Sequence, residues 1–192
     1  MHPPRILVLV TTIGALVAGC SPAPVETPAP VPSVPTCTPE FGGTPYPCTQ
    51  SDYEANQKSL ARYAEAERVY REFTRLSMEE TIERREQPSP ELMALLGGEY
   101  EETMPEVRTA VLEHGTYSGS REIVWVRPVE HNVGQPGNHA LLTCTDYTNW
   151  RIESGKNASQ PDQRIVTRVE FDDASGVTKL VNVLPEEGVS CD

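Results

Sequence analysis

The chain has 192 residues, 16 Lys+Arg against 28 Asp+Glu, a formal net charge of −12 and 18 prolines. It is 38% hydrophobic, which suffices for one modest core plus appendages. The acidity excludes nucleic acid as a partner held through its phosphates, and the 6% aromatic content leaves few rings for stacking bases.

The chain opens on a targeting pattern. Arg5 precedes an apolar run from Ile6 to Ala18. That run is shorter than the roughly 20 residues a membrane-spanning helix needs. A charged start, an apolar middle and small residues at the end describe a secretory signal. The run closes on Val17-Ala18-Gly19-Cys20. This resembles the bacterial lipobox, where a peptidase cuts before a cysteine that carries diacylglycerol. The resemblance implies a signal peptide over residues 1–19, lipidation of Cys20, and a protein anchored by membrane lipid on the extracytoplasmic face of the cell membrane. Each buried CH₂ of an acyl chain contributes roughly 0.8 kcal/mol of membrane affinity, so two or three chains hold a protein at the surface.

Residues 20–50 read as a lipidated cysteine followed by a tether. Nine of the 18 prolines fall between Pro22 and Pro47. Proline locks φ and donates no hydrogen bond, so an extended spacer is expected at about 3.1 Å per residue. With Cys20 assigned to lipid, Cys37, Cys48, Cys144 and Cys191 remain. An even number in an exported chain points to two disulfides, with three pairings open. Cys37 with Cys48 and Cys144 with Cys191 is favoured. The first pair closes a short Pro- and Gly-rich loop, and the second pins the C-terminus to a strand. No close Cys-x-x-Cys spacing supports zinc, the four histidines are scattered, and neither a metal nor a cofactor is expected.

Residues 51–192 form the expected folded domain. Ser51 with Glu54 offers a capping box for a helix to about Gln87, stopped by Pro88. Leu60, Tyr63, Ala66, Tyr70, Phe73 and Leu76 recur at helical spacing on one face, and charges that include Glu79 and Glu80 cover the rest. Ser89-Pro90-Glu91 starts a second helix. A third begins at about Glu99 or Pro105 and reaches His114, closed by Gly115. Strands follow at Arg121–Val129, at His139–Ile152, at Arg164–Phe171 and at Val177–Leu184. In the third, Ile165, Thr167, Val169 and Phe171 face one way, and Arg164, Val166, Arg168 and Glu170 the other. The pattern predicts an α+β fold. N-terminal helices pack on one face of a curved antiparallel sheet of about four strands, whose other face is open to water.

This order resembles the nuclear transport factor 2-like, or cystatin-like, cone, as carried by exported lipoproteins of high-GC Gram-positive bacteria. The resemblance rests on a long first helix with Tyr63, Tyr70 and Phe73 and on Gly115-Thr116-Tyr117-Ser118-Gly119 before the sheet. It rests also on Cys144-Thr145-Asp146 in a central strand with a partner cysteine near the end. The tryptophan usual in the last strand of that family is replaced by Val177-Thr178-Lys179-Leu180. The resemblance implies a pocket between helices and sheet, with Tyr63, Tyr70, Phe73, Trp125 and Asp146 as candidate lining residues.

No nucleophile elbow, phosphate loop or dinucleotide fingerprint is present, so no catalytic residue is assigned and an enzyme is not expected. Asp172-Asp173 reads as a charged hairpin tip rather than a calcium loop. Three roles remain. The first is a binding module of the cell envelope for a small apolar ligand or an envelope protein. The second is an enzyme resembling the SnoaL-like group, using Asp146 with His114 or His139. The third is a phage- or plasmid-encoded accessory lipoprotein.

Overall fold

A computed structural model of the chain describes residues 33–154 and 164–192. The expected signal peptide (residues 1–19), Cys20 and most of the expected proline-rich tether lie outside the described residues. The compact unit containing the fold runs from Val34 to Asp192. It therefore begins earlier than residue 51, because residues 34–50 fold onto the domain. Strands β1 (Thr36–Cys37) and β2 (Tyr46–Pro47) pair, and a Cys37–Cys48 disulfide closes them. Asn56 exchanges two hydrogen bonds with the Thr38 backbone, and Phe41 sets its ring edge against Tyr63 at 6.2 Å. Proline excludes helix here but leaves a cross-linked loop free to dock.

Helix α1 (Gln50–Ile82) has 33 residues. Its cap is Thr49, two residues before the expected one. The Thr49 hydroxyl accepts from the Asp52 amide and donates to the Asp52 carboxylate. The helix ends before Pro88 through a Schellman turn. Arg84 takes φ 55°, Arg85 N–H reaches the Glu80 carbonyl and Arg84 N–H that of Thr81. Arg84 occupies a position that favours glycine, and its guanidinium reaches forward to the carbonyls of Gly115 and Leu112. Pairs such as Arg68–Glu65, Arg71–Glu67 and Arg75–Glu72 line the wet face.

Helix α2 (Pro90–Met93) is capped by the Ser89 hydroxyl, which accepts from the Leu92 amide. The next residues meet the sheet edge. Leu180 N–H donates to the Leu95 carbonyl and Gly97 N–H to the Leu180 carbonyl. Helix α3 (Gly98–His114) then returns across α1.

The sheet expected over four strands is present, in the order β4-β5-β7-β8 and antiparallel throughout. Its members are β4 (Glu122–Val129), β5 (His139–Asp146), β7 (Arg164–Asp172) and β8 (Lys179–Pro185). Four short strands stand outside the expectation: β1, β2, one at Thr116–Gly119, and one that arises because His139–Ile152 is not a single strand. The Asp146 carboxylate accepts from the Thr148 amide, and Trp150 N–H closes a turn on the Tyr147 carbonyl. The chain leaves the sheet there. It resumes as β6 (Trp150–Ser154), which pairs with β3 (Thr116–Gly119) in a separate ribbon. Gly119 permits that crossing: at φ 91°, a Cβ there would lie 1.7 Å from the Asn149 carbonyl oxygen.

The core lies between α1 and the sheet. Tyr63, Ala66, Val69 and Tyr70 of α1 meet Leu141, Val169, Phe171 and Leu180, with Leu96 and Met104 completing it. The opposite sheet face departs from the expectation of open water. Arg168 is 6% exposed and Glu170 0%. Loop 130–138 crosses above them. The Arg168 guanidinium donates to the Glu130 carbonyl and, at 2.7 Å, to Glu170 Oε1. The C-terminal tail lies on the same face, bonded by Cys144–Cys191 and by Trp125 Nε1–H donating to the Cys191 carbonyl at 2.9 Å. Charge alternation in β7 thus marks a face buried under loop and tail rather than a wet one.

Candidate functional site

The five residues expected to line one pocket fall into two groups. Tyr63, Tyr70 and Phe73 project from α1 into the layer above the sheet. Trp125 and Asp146 belong to the other face, because strand side chains alternate. Trp125 is registered opposite Cys144, and Asp146 opposite Glu122 and Arg164.

The helix-side layer is filled. The Tyr70 hydroxyl accepts from Thr143 Oγ1 at 3.0 Å and lies 3.4 Å from Thr145 Oγ1. Thr143 also meets the Thr167 hydroxyl at 2.7 Å. Tyr70 therefore ends on a ladder of threonine hydroxyls that stands where a ligand would otherwise sit. Phe73 packs on Tyr100 at 6.1 Å. Burial pushes the Tyr100 phenol up to about 12, with Tyr70 adding to the rise and Arg121 opposing it.

Asp146 meets neither histidine considered with it. Hydrogen bonds from Thr148, with Arg164 adding, hold its carboxyl below the usual range. Arg164 Nε stands 3.2 Å away. His114 places Nδ1 2.7 Å from the Ala110 carbonyl, at the end of α3. His139 is at the far end of β5 and on the opposite face, roughly 23 Å along the strand at about 3.3 Å per residue. The acid–base pair is not assembled.

His139 is instead a core residue. It is 1% exposed, stacked on Phe171 at 5.6 Å and met edge-on by Tyr63 at 5.9 Å. Its Nδ1–H donates to Asn138 Oδ1 at 2.6 Å, and Nε2 is buried without a hydrogen-bond partner among the described residues. Burial lowers its pKa to about 4, with Asp173 opposing, Arg62 adding, Asp172 opposing and His131 adding. The folded state binds fewer protons than the unfolded chain between about pH 6.5 and 4, so stability falls as pH drops through that window. The expected loss is about 3 kcal/mol at its lower end. Urea unfolding at pH 7 and at pH 4 will measure it. His139→Phe, which keeps the stack, should flatten this part of the curve. An equal pH dependence in both proteins would refute the assignment.

The sequence reading missed three ionic features, all placed by tertiary contact. Glu80 and Arg108 are buried 3.1 Å apart between α1 and α3. Arg168 and Glu170 lie under loop 130–138, where His131 Nε2 stands 3.6 Å from Glu170 Oε2. That oxygen has no hydrogen-bond partner among the described residues. No periodicity separates these charges from their solvated neighbours.

The third feature is Arg121, at the mouth between α1 and the start of β4. Its guanidinium carbon lies 4.9 Å from the Trp150 ring centre and 5.9 Å from that of Tyr147. Its backbone N–H points to Met78 Sδ at 3.4 Å. Among the described residues its buried Nε has no hydrogen-bond partner and its guanidinium no carboxylate. Arg71, Thr74, Arg75, Met78, Ser120 and Ile123 wall the adjoining cleft, of about 580 Å³, together with Arg121 and Glu122.

Among the described residues no three His, Cys, Asp or Glu side chains gather as a metal ion requires, and no helix is long and apolar enough to cross a membrane. No family model, curated protein or solved structure matches the chain, so the site stands on its own geometry.

Proposed function

We propose that this protein is a lipid-anchored lipoprotein of the extracytoplasmic face of the cell membrane, whose folded unit is a binding module of the cell envelope. The observation that carries the reading is the partition of its five cysteines. Four are joined as Cys37–Cys48 and Cys144–Cys191, which leaves Cys20 outside both bonds. Two disulfides suit an oxidising compartment, and the leftover cysteine stands where the lipobox resemblance puts the acyl group. The cone of the nuclear transport factor 2-like proteins fits a long helix over a four-stranded antiparallel sheet. The filled layer beneath α1 favours binding at the mouth of that cone over a deep pocket.

An enzyme of the SnoaL-like type would need Asp146 beside a histidine, and the separation of these groups speaks for binding instead. Cys20→Ala in a bacterial host should abolish acyl labelling and release the protein from the membrane fraction. Continued acyl labelling would overturn the lipoprotein reading.

A further inference from the structure

We infer that the cleft beside Arg121 is a seat for a small monocarboxylate, its carboxylate on the Arg121 guanidinium and its apolar body along Met78 and Ile123. The inference rests on the binding-module reading and names its ligand class.

The first argument is charge accounting. Many of the described arginines meet carboxylates, as Arg62 does Asp173, Arg71 Glu67, Arg75 Glu72 and Glu79, and Arg164 Asp146, while Arg84 and Arg151 donate to backbone carbonyls and Arg127 lies over the Trp125 ring. In a chain of 28 acidic residues such partners are plentiful. Arg121 nevertheless has none among the described residues, and its Nε is already dehydrated. Glu122 lines the cleft, but its strand position is opposite that of Ile123 and registered with Asp146.

The second argument is shape. The guanidinium carbon lies over the Trp150 and Tyr147 rings, and its terminal N–H groups make no hydrogen bond among the described residues. A carboxylate matches that planar edge with paired charge-assisted hydrogen bonds. Thr74 and Ser120 add hydroxyls, and Met78 and Ile123 add apolar walls. A cleft whose Arg71 and Arg75 are already paired, whose Arg121 is not, and whose lining is partly apolar suits a small amphipathic anion more than a bare one.

The test is a titration of the full ¹⁵N-labelled chain with sodium hexanoate, with inorganic phosphate and 1-hexanol as the other arms. The Arg121 Nε resonance, assigned by through-bond correlation to its Cδ, is the readout. Hexanoate should move it saturably and bind more tightly than phosphate, and hexanol should leave it in place. Arg121→Gln should weaken hexanoate by at least about tenfold, since a charge-assisted pair is lost. Arg127→Gln, on the ring of Trp125, should leave the affinity unchanged. The inference is overturned by an unmoved Nε resonance, by equal affinity in Arg121→Gln, or by phosphate or hexanol matching hexanoate. The resonance is read in the unsubstituted chain, so the result does not depend on the variant folding. Acyl labelling at Cys20 is independent of every arm, so failure here leaves the lipoprotein reading to its own test.

Discussion

Glu80→Ala is expected to destabilise the folded unit by about 3–5 kcal/mol, the range for removing one partner of a buried ion pair. Glu80 is 2% exposed and so is Arg108. The Glu80 carboxylate takes two donors: Arg108 Nη2 at 3.1 Å on Oε2, and the Ser89 amide, shared at 3.2 Å on Oε1 and 3.4 Å on Oε2. Arg108 also donates to Thr81 Oγ1 at 2.8 Å. One side chain thus ties α1, the start of α2 and α3 together. Burial lowers the Arg108 pKa and Glu80 counters it, so removing the carboxylate leaves a dehydrated cation with no counter-charge. Urea unfolding of Glu80→Ala measures the loss. The double variant Glu80→Met/Arg108→Met should recover most of it, because apolar side chains of similar volume often replace a buried pair without net cost. A loss below about 1 kcal/mol in Glu80→Ala would mean the pair is solvated and exerts no such hold.

Loss of the Cys144–Cys191 disulfide is expected to cost about 4 kcal/mol by loop-closure entropy. The bond spans 47 residues, against 11 for Cys37–Cys48, where the same reasoning gives about 3 kcal/mol. It also has a local task. It holds the tail so that Trp125 Nε1–H reaches the Cys191 carbonyl, and it seals Cys144 in the sheet at 0% exposure. The variant is Cys144→Ser/Cys191→Ser, which leaves no odd thiol. Its urea midpoint should fall, and the near-ultraviolet signal of Trp125 should weaken. An unchanged midpoint would show that Arg164–Asp192 and Trp125–Cys191 hold the tail without covalent help.

Much of the architecture was legible because it is local. The α1 stripe of Tyr63, Ala66 and Tyr70 is set by a 3.6-residue period, and the β7 alternation through Val169 and Phe171 by a period of two. Ser89-Pro90 marked α2 by its own capping chemistry. The favoured cysteine pairing is the one found. Errors arose where a second partner decided the outcome. Thr49 rather than Ser51 caps α1, since both cap types precede the same polar run. Asp146 ends β5 by turning the chain, although the residues beyond it keep strand-like composition.

The candidate site was the least legible part. Tyr63, Tyr70 and Phe73 were rightly grouped by period on one helix face. Trp125 and Asp146 joined them only by analogy, and a register one residue different would have brought them to that side. Arg121 carried no signal, for an arginine before a strand reads as an ordinary surface charge. Its distinction is a buried Nε that no described residue meets, which is a property of its surroundings.

The acidity and the prolines of the opening count, the five cysteines and the helix-then-strand order are properties of the chain alone. They are sufficient for the α+β class, because periodicity and covalent chemistry act over a few residues. Tertiary structure decided which charges are inside. Glu80, Arg108, Arg168 and Glu170 are buried while the equally charged Glu79 is not, because burial depends on which segment crosses overhead. Loop 130–138 and the tail after β8 made that choice on one sheet face, α3 on the other.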